Sequence, residues 1–119
     1  MAQELTNQKC EPCSGNSPPV SDEEIAELKP QVPDWKIREE AGERRLERTY
    51  KLPDFRTALN FTNRIGEEAE KEGHHPALLT EYGKLTVTWW THAISALHKN
   101  DFIMAAKTDE LAVQFAAKS

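Results

Sequence analysis

Cysteine is nearly absent from this chain: Cys10 and Cys13 are the only two among 119 residues. They form one Cys-x-x-Cys inside "KCEPCSGNSPP". A closed zinc site needs two further ligands nearby, and a redox pair needs a helix start that lowers a thiol pKa; neither accompanies them. The motif stays open between a silent exposed pair and metal or redox use, including two chains pooling four thiolates around one zinc. Long apolar runs are missing too, so no bilayer-spanning segment is expected. An excess of basic residues is also lacking. Fifteen Lys and Arg are interleaved with twenty Asp and Glu, for a formal net charge of −5, which argues against nucleic acid as a direct partner. No Gly-rich phosphate loop and no strong internal repeat is found. The start, MAQELTNQKC, carries acid and amide groups where a secretory signal has a basic end and an apolar stretch, so the expected location is the cytoplasm.

What is present suits one small domain with a polar tail. Residues 1–20 are rich in Gly, Ser, Asn and Pro, bury little apolar surface, and are expected to form a flexible extension; residues 21–119 form the domain. Ser21 followed by Glu24 makes a capping box, with Asp22 and Glu23 in the first helical turn and Pro30 and Pro33 closing the helix. Trp35–Glu39 and Arg44–Leu52 alternate apolar and charged residues around "EEAGE", which predicts a hairpin with one wet face. Asp54 caps a longer helix whose stripe is Phe55, Ala58, Leu59, Thr62, Ile65 and Ala69, and Gly73 terminates it. "ALLTEY" and "LTVTWWTH" predict a second hairpin, with Gly83-Lys84 as a type II′ turn. Leu85, Val87 and Trp89 fall on one face; Thr86, Thr88 and Trp90 fall on the other. The last segment predicts a helix with Phe102, Ala105, Ala106, Ala112, Val113 and Ala116 as its apolar stripe. The order α-β-β-α-β-β-α predicts an α+β fold, a four-stranded antiparallel sheet with three helices packed on one face. One uncovered face and open edges predict a homodimer or homotetramer.

Three of four histidines, His74, His75 and His92, lie at the two ends that the second hairpin brings together. Imidazole both accepts and donates protons near neutral pH. Glu70 adds an acceptor one helical turn before His74. On residue types alone, incidental clustering, a metal site and acid-base work all remain open. His98 reads as structural or silent, and Asp101 as a residue favoured by the helix dipole. Trp35, Trp89 and Trp90 read as sheet and core residues, although one of them could wall a flat aromatic ligand, and Tyr82 has the same double reading.

Glu70, "HHP" at 74–76, Tyr82, His92 and Asp101, spaced over thirty-two positions, resemble the signature of the pterin-4a-carbinolamine dehydratases. The likeness extends more loosely over about residues 20–117, including "DW" at 34 and 35, and leaves the Cys-x-x-Cys unexplained. It implies a lyase that removes water from 4a-hydroxytetrahydropterin, with no cofactor and no metal, linked to an aromatic amino acid hydroxylase that needs its pterin recycled. By matched position His74, His75 and His92 are the catalytic candidates, His74 and His92 exchanging protons and His75 mainly orienting the pterin. Glu70 would support the first histidine, and the backbone of His74–Pro76 and of Thr91, His92, Ala93 and Ile94 would line the ring. Asp101 and Tyr82 would have supporting roles. His98 stands where many relatives carry a Ser or Thr cap, which predicts a looser start to the last helix. The family also contains non-catalytic binding and assembly factors, the competing class.

Overall fold

The computed structural model describes Leu5, Gln8, Cys10 and residues 18–115. Cys13 and Ala116, named above, lie outside the described residues. The elements are α1 (Asp22–Leu28), β1 (Lys36–Glu40), β2 (Glu43–Lys51), α2 (Phe55–Glu72), β3 (Ala77–Glu81), β4 (Lys84–Trp89) and α3 (Lys99–Ala112), with short 3-10 turns between or after them. The four strands form one antiparallel sheet in the order β1-β2-β4-β3, so the two hairpins join along β2 and β4, and β1 and β3 are the edges. The expected α+β architecture is the observed one.

Local chemistry explains the element ends. Ser21 and Glu24 make the reciprocal capping box at α1, and Asp54 accepts from the Thr57 N–H at α2. Residues 41 and 42, Ala and Gly, both have positive φ between the paired Glu40 and Glu43, the twist that a tight two-residue hairpin requires. The second hairpin differs from expectation. Its two loop residues are Tyr82 and Gly83, because Glu81 pairs with Lys84; the glycine stands second, at φ +75°. A type II′ turn needs positive φ in the first place instead.

The core lies between the sheet and the helices. Leu46, Tyr50, Leu85, Val87 and Trp89 project into it from β2 and β4, against Ala58, Phe61, Ile65 and Ala69 of α2 and the apolar face of α3. Phe61 joins an aromatic chain, edge-on to Tyr50 at 5.1 Å and stacked on Phe115 at 5.2 Å. Phe55 and Leu59, assigned to the buried stripe from sequence, are exposed, because the buried face of α2 is rotated toward Phe61. Val113, 81% exposed, has left α3 for a 3-10 turn and also faces solvent. On the far side of the sheet, Arg38, Glu40, Glu43, Arg45 and Glu47 form a lattice of ion pairs on β1 and β2. Leu79 of edge strand β3 lies 58% exposed. Part of the extension is seated on the domain: Leu5 is 2% exposed within the core, its N–H donating to Gln31 Oε1, and the Cys10 N–H donates to Glu72 Oε1 at 2.9 Å.

Candidate active site

Gly73 stands just before the two adjacent histidines. Its left-handed conformation ends α2, with its N–H donating to the carbonyls of Ala69 and Glu70 and the His74 N–H donating to Ala69. The chain turns sharply there, so His74 goes into the protein and His75 stays outside.

His74 meets Asp101, which is 0% exposed in the first turn of α3. A buried carboxylate must be surrounded by donors, and Asp101 has three. His74 Nε2 lies 2.6 Å from Oδ1, while the Thr91 hydroxyl (2.9 Å) and the His98 N–H (2.8 Å) donate to Oδ2. A carboxylate only accepts, so Nε2 carries a proton and Nδ1 is the nitrogen of His74 left to exchange one. The His74 ring also lies flat against Trp89, with centroids 5.7 Å apart and planes 7° apart.

His75 takes Glu70 as its partner, Nε2 to Oε2 at 2.6 Å, with both side chains exposed. This corrects the expectation that Glu70 supports His74: once Gly73 reverses the chain, helical spacing no longer applies, and Asp101 holds the first histidine. His92 opens a 3-10 turn, is exposed, and packs against Trp90 at 4.4 Å between centroids. Arg45 caps the Trp90 ring at 4.1 Å and is itself gripped by Glu40 and Glu43. The Glu43 carboxyl is held below its usual range by hydrogen bonds from Arg45 and Ser95, with a smaller contribution from the charge of His92.

Asp101 ties the parts together. It binds His74 from the α2–β3 connection and Thr91, the neighbour of His92, from the end of β4. Tyr82 does not join them; it is 77% exposed at the opposite end of the β3–β4 hairpin. Thr91 has already spent its backbone groups, donating to and accepting from Ala96, and the Ile94 N–H returns to the Thr91 carbonyl. His98 is neither silent nor a weak cap: its Nδ1 accepts from the Asn100 N–H at 3.1 Å, and its own N–H goes to Asp101.

Trp89, Trp90 and Arg45 flank the histidines without belonging to the expected site. Their sequence signal was the adjacent tryptophans at a strand end, which must face opposite sides of the sheet. Two described clefts, about 500 and 260 Å³, lie elsewhere: one at Asp34, Lys36, Arg38 and Arg48, the other ending at Ser95, Ala96 and Leu97 just beyond His92. Among the described residues no group of three or more His, Cys, Asp or Glu side chains is placed to hold a metal ion. None of their helices is long and apolar enough to cross a membrane.

Comparison with known proteins bears on this arrangement. Residues 18–111 match the family model described as pterin 4 alpha carbinolamine dehydratase. The chain is 60% identical over 113 residues, 95% of its length and 97% of the relative's, to "Putative pterin-4-alpha-carbinolamine dehydratase 1" of Gloeobacter violaceus. A similarly named Nitrosococcus oceani protein is 60% identical over 109 residues, covering 92% of this chain and 96% of that one. Among solved structures, a transcriptional coactivator/pterin dehydratase from Brucella melitensis superposes with a TM-score of 0.73 at 28% identity, over 80% of this chain and 99% of that one. A pterin dehydratase-like protein described as a RuBisCO assembly factor in the alpha-carboxysome shares the fold, with a TM-score of 0.56 at 19% identity over 66% of this chain and 89% of that one.

Proposed function

Because the chain belongs to the pterin 4 alpha carbinolamine dehydratase family, we propose that it is a lyase converting 4a-hydroxytetrahydropterin to quinonoid dihydropterin and water. In that reaction the C4a–O bond breaks as the N5 lone pair forms the new C=N bond. An acid protonates the departing hydroxyl, and a base takes the proton from N5. His74 and His92 are the proton donors and acceptors. His75, held by Glu70, orients the pterin beside Pro76, and His92, Ala93 and Ile94 line its other edge.

The single observation carrying this reading is the bond from His74 to the buried, fully donated Asp101. It fixes one tautomer and leaves one nitrogen for chemistry, an arrangement a scaffold has no evident need for. Thr91 serves through its hydroxyl on Asp101 instead of through its backbone.

The working assembly is a homodimer or homotetramer in the cytoplasm, recycling pterin for an aromatic amino acid hydroxylase. The open edge of β3, exposed Leu79 and the exposed Phe55 and Leu59 of α2 favour self-association. The test is to generate the hydroxypterin in situ and follow its dehydration by absorbance with wild type, His74→Ala and His92→Ala. Acceleration by wild type that both variants lose is the expected result. Equal rates for wild type and buffer would overturn the enzyme and favour a non-catalytic assembly role.

A further inference from the structure

Asp101 fixes one atom of the His74 ring, and one atom does not aim the other nitrogen. The second side-chain torsion of histidine is broad, so a ring tethered only at Nε2 can swing about that tether. The plane is set by Trp89. Its indole lies 7° from parallel to the imidazole and is fully buried at the end of β4, opposite Leu46 of β2. The indole N–H donates to Thr108 Oγ1 at 3.2 Å, and the Thr108 hydroxyl donates in turn to the Met104 carbonyl at 2.6 Å. Thr108 lies seven residues after Asp101, two turns along the same face of α3. One helix therefore holds the imidazole twice, at its edge through Asp101 and at its face through Thr108 and Trp89.

We propose that Trp89 and Thr108 are positioning residues for proton transfer by His74, with Thr108 locking the indole against which the imidazole is aligned. The proposal rests on the dehydratase reading for its kinetic consequence and on stacking geometry alone for its spectroscopic one. Core filling by itself does not require the bond: an aliphatic side chain at 89 fills volume with no N–H to satisfy. A reacting group misdirected by a fraction of an ångström loses much of the advantage of orientation.

The experiment compares Thr108→Val, Thr108→Ser and Trp89→Phe with wild type in kcat, KM and the proton resonance of His74 Cε1–H, whose position senses the indole ring current. Thr108→Val keeps the side-chain shape and removes the acceptor. It is expected to lower kcat by roughly tenfold, leave KM within about twofold, and move the resonance, with Thr108→Ser restoring both. Trp89→Phe retains a ring without the N–H and gives the kcat and KM readout should Thr108→Val fail to fold. A lowered melting temperature with unchanged kcat and unchanged resonance in the folded variants overturns the proposal. Wild-type protein that shows the shifted resonance, moved by Thr108→Val, but does not accelerate dehydration overturns the reaction and supports the alignment.

Discussion

Helix α3 carries two carboxylates that do the same structural work with different partners. Asp101, at its start, gathers His74, Thr91 and the His98 N–H. Asp109, two turns later, gathers the Trp35 indole N–H at 2.9 Å, Arg48 at 2.7 Å and the Tyr50 hydroxyl, all on Oδ1. Each hub ties α3 to the sheet or to the connection beside it. The difference lies in what the donors can do next. Burial, then the Asp109 charge, pushes the Tyr50 phenol far above the usual tyrosine range, and Arg and Trp do not titrate near neutrality. Asp101 instead holds an imidazole, the one side chain here whose ordinary range brackets neutral pH. Similar geometry gives a brace of non-titrating donors at one site and a tethered imidazole at the other.

The sharpest way to break this comparison is Asp101→Asn. An amide can present a donor to Nε2 and favours the wrong tautomer, so kcat for dehydration is expected to fall by about 10²–10⁴, measured on protein shown to be folded by circular dichroism. Asp109→Asn is the counterpart. It should cost about 2 kcal/mol or more in urea unfolding and leave kcat within about twofold; a large loss of kcat would show that the hubs are not separable. Asp54 supplies an exposed carboxylate for contrast. Its hydrogen bond from Thr57 keeps the carboxyl below its usual 3.8, so the native state binds fewer protons than the unfolded one as pH falls. That stabilisation is complete above the usual value and lost below it, so Asp54→Asn should lower the melting temperature at pH 6 and converge with wild type in acid. The smallest effect belongs to Glu70→Gln. The Glu70–His75 pair is exposed on both sides and worth about 0–1 kcal/mol, so stability should hardly move; a rise in KM for the pterin, measured by initial rates, would mark its role in orienting His75.

Sequence reading reached the parts governed by near neighbours. Ser21 with Glu24, Asp54 and Gly73 act over a few residues, and their signals do not depend on the rest of the chain. The alternation in β4 likewise grouped Leu85, Val87 and Trp89 on one face, the face the structure buries against the helices. Phe61 was missed because periodicity gives the width of an apolar stripe but not its rotation, which Tyr50 and Phe115 decide from distant segments. The spacing of 74, 75 and 92 put the histidines at neighbouring ends of one hairpin, whereas the carboxylates that His74 and His75 take were not legible. The His74 partner lies 27 residues away and depends on how α3 docks, while the positive φ of Gly73 redirects Glu70 to His75. His98 was undervalued because capping was sought in hydroxyls and carboxylates, although a neutral imidazole nitrogen also accepts an N–H.

That α3 carries both hubs has a consequence for biosynthesis. Translation delivers the sheet and the three histidines at 74, 75 and 92 first, and Asp101, Thr108 and Asp109 follow near the end. Leu5 and Cys10, made earliest, must also wait, since Cys10 takes its partner from Glu72, 62 positions downstream. A growing chain therefore carries its His74 ring untethered until its last helix docks, and a premature stop just after His98 would leave that imidazole without the carboxylate that holds it.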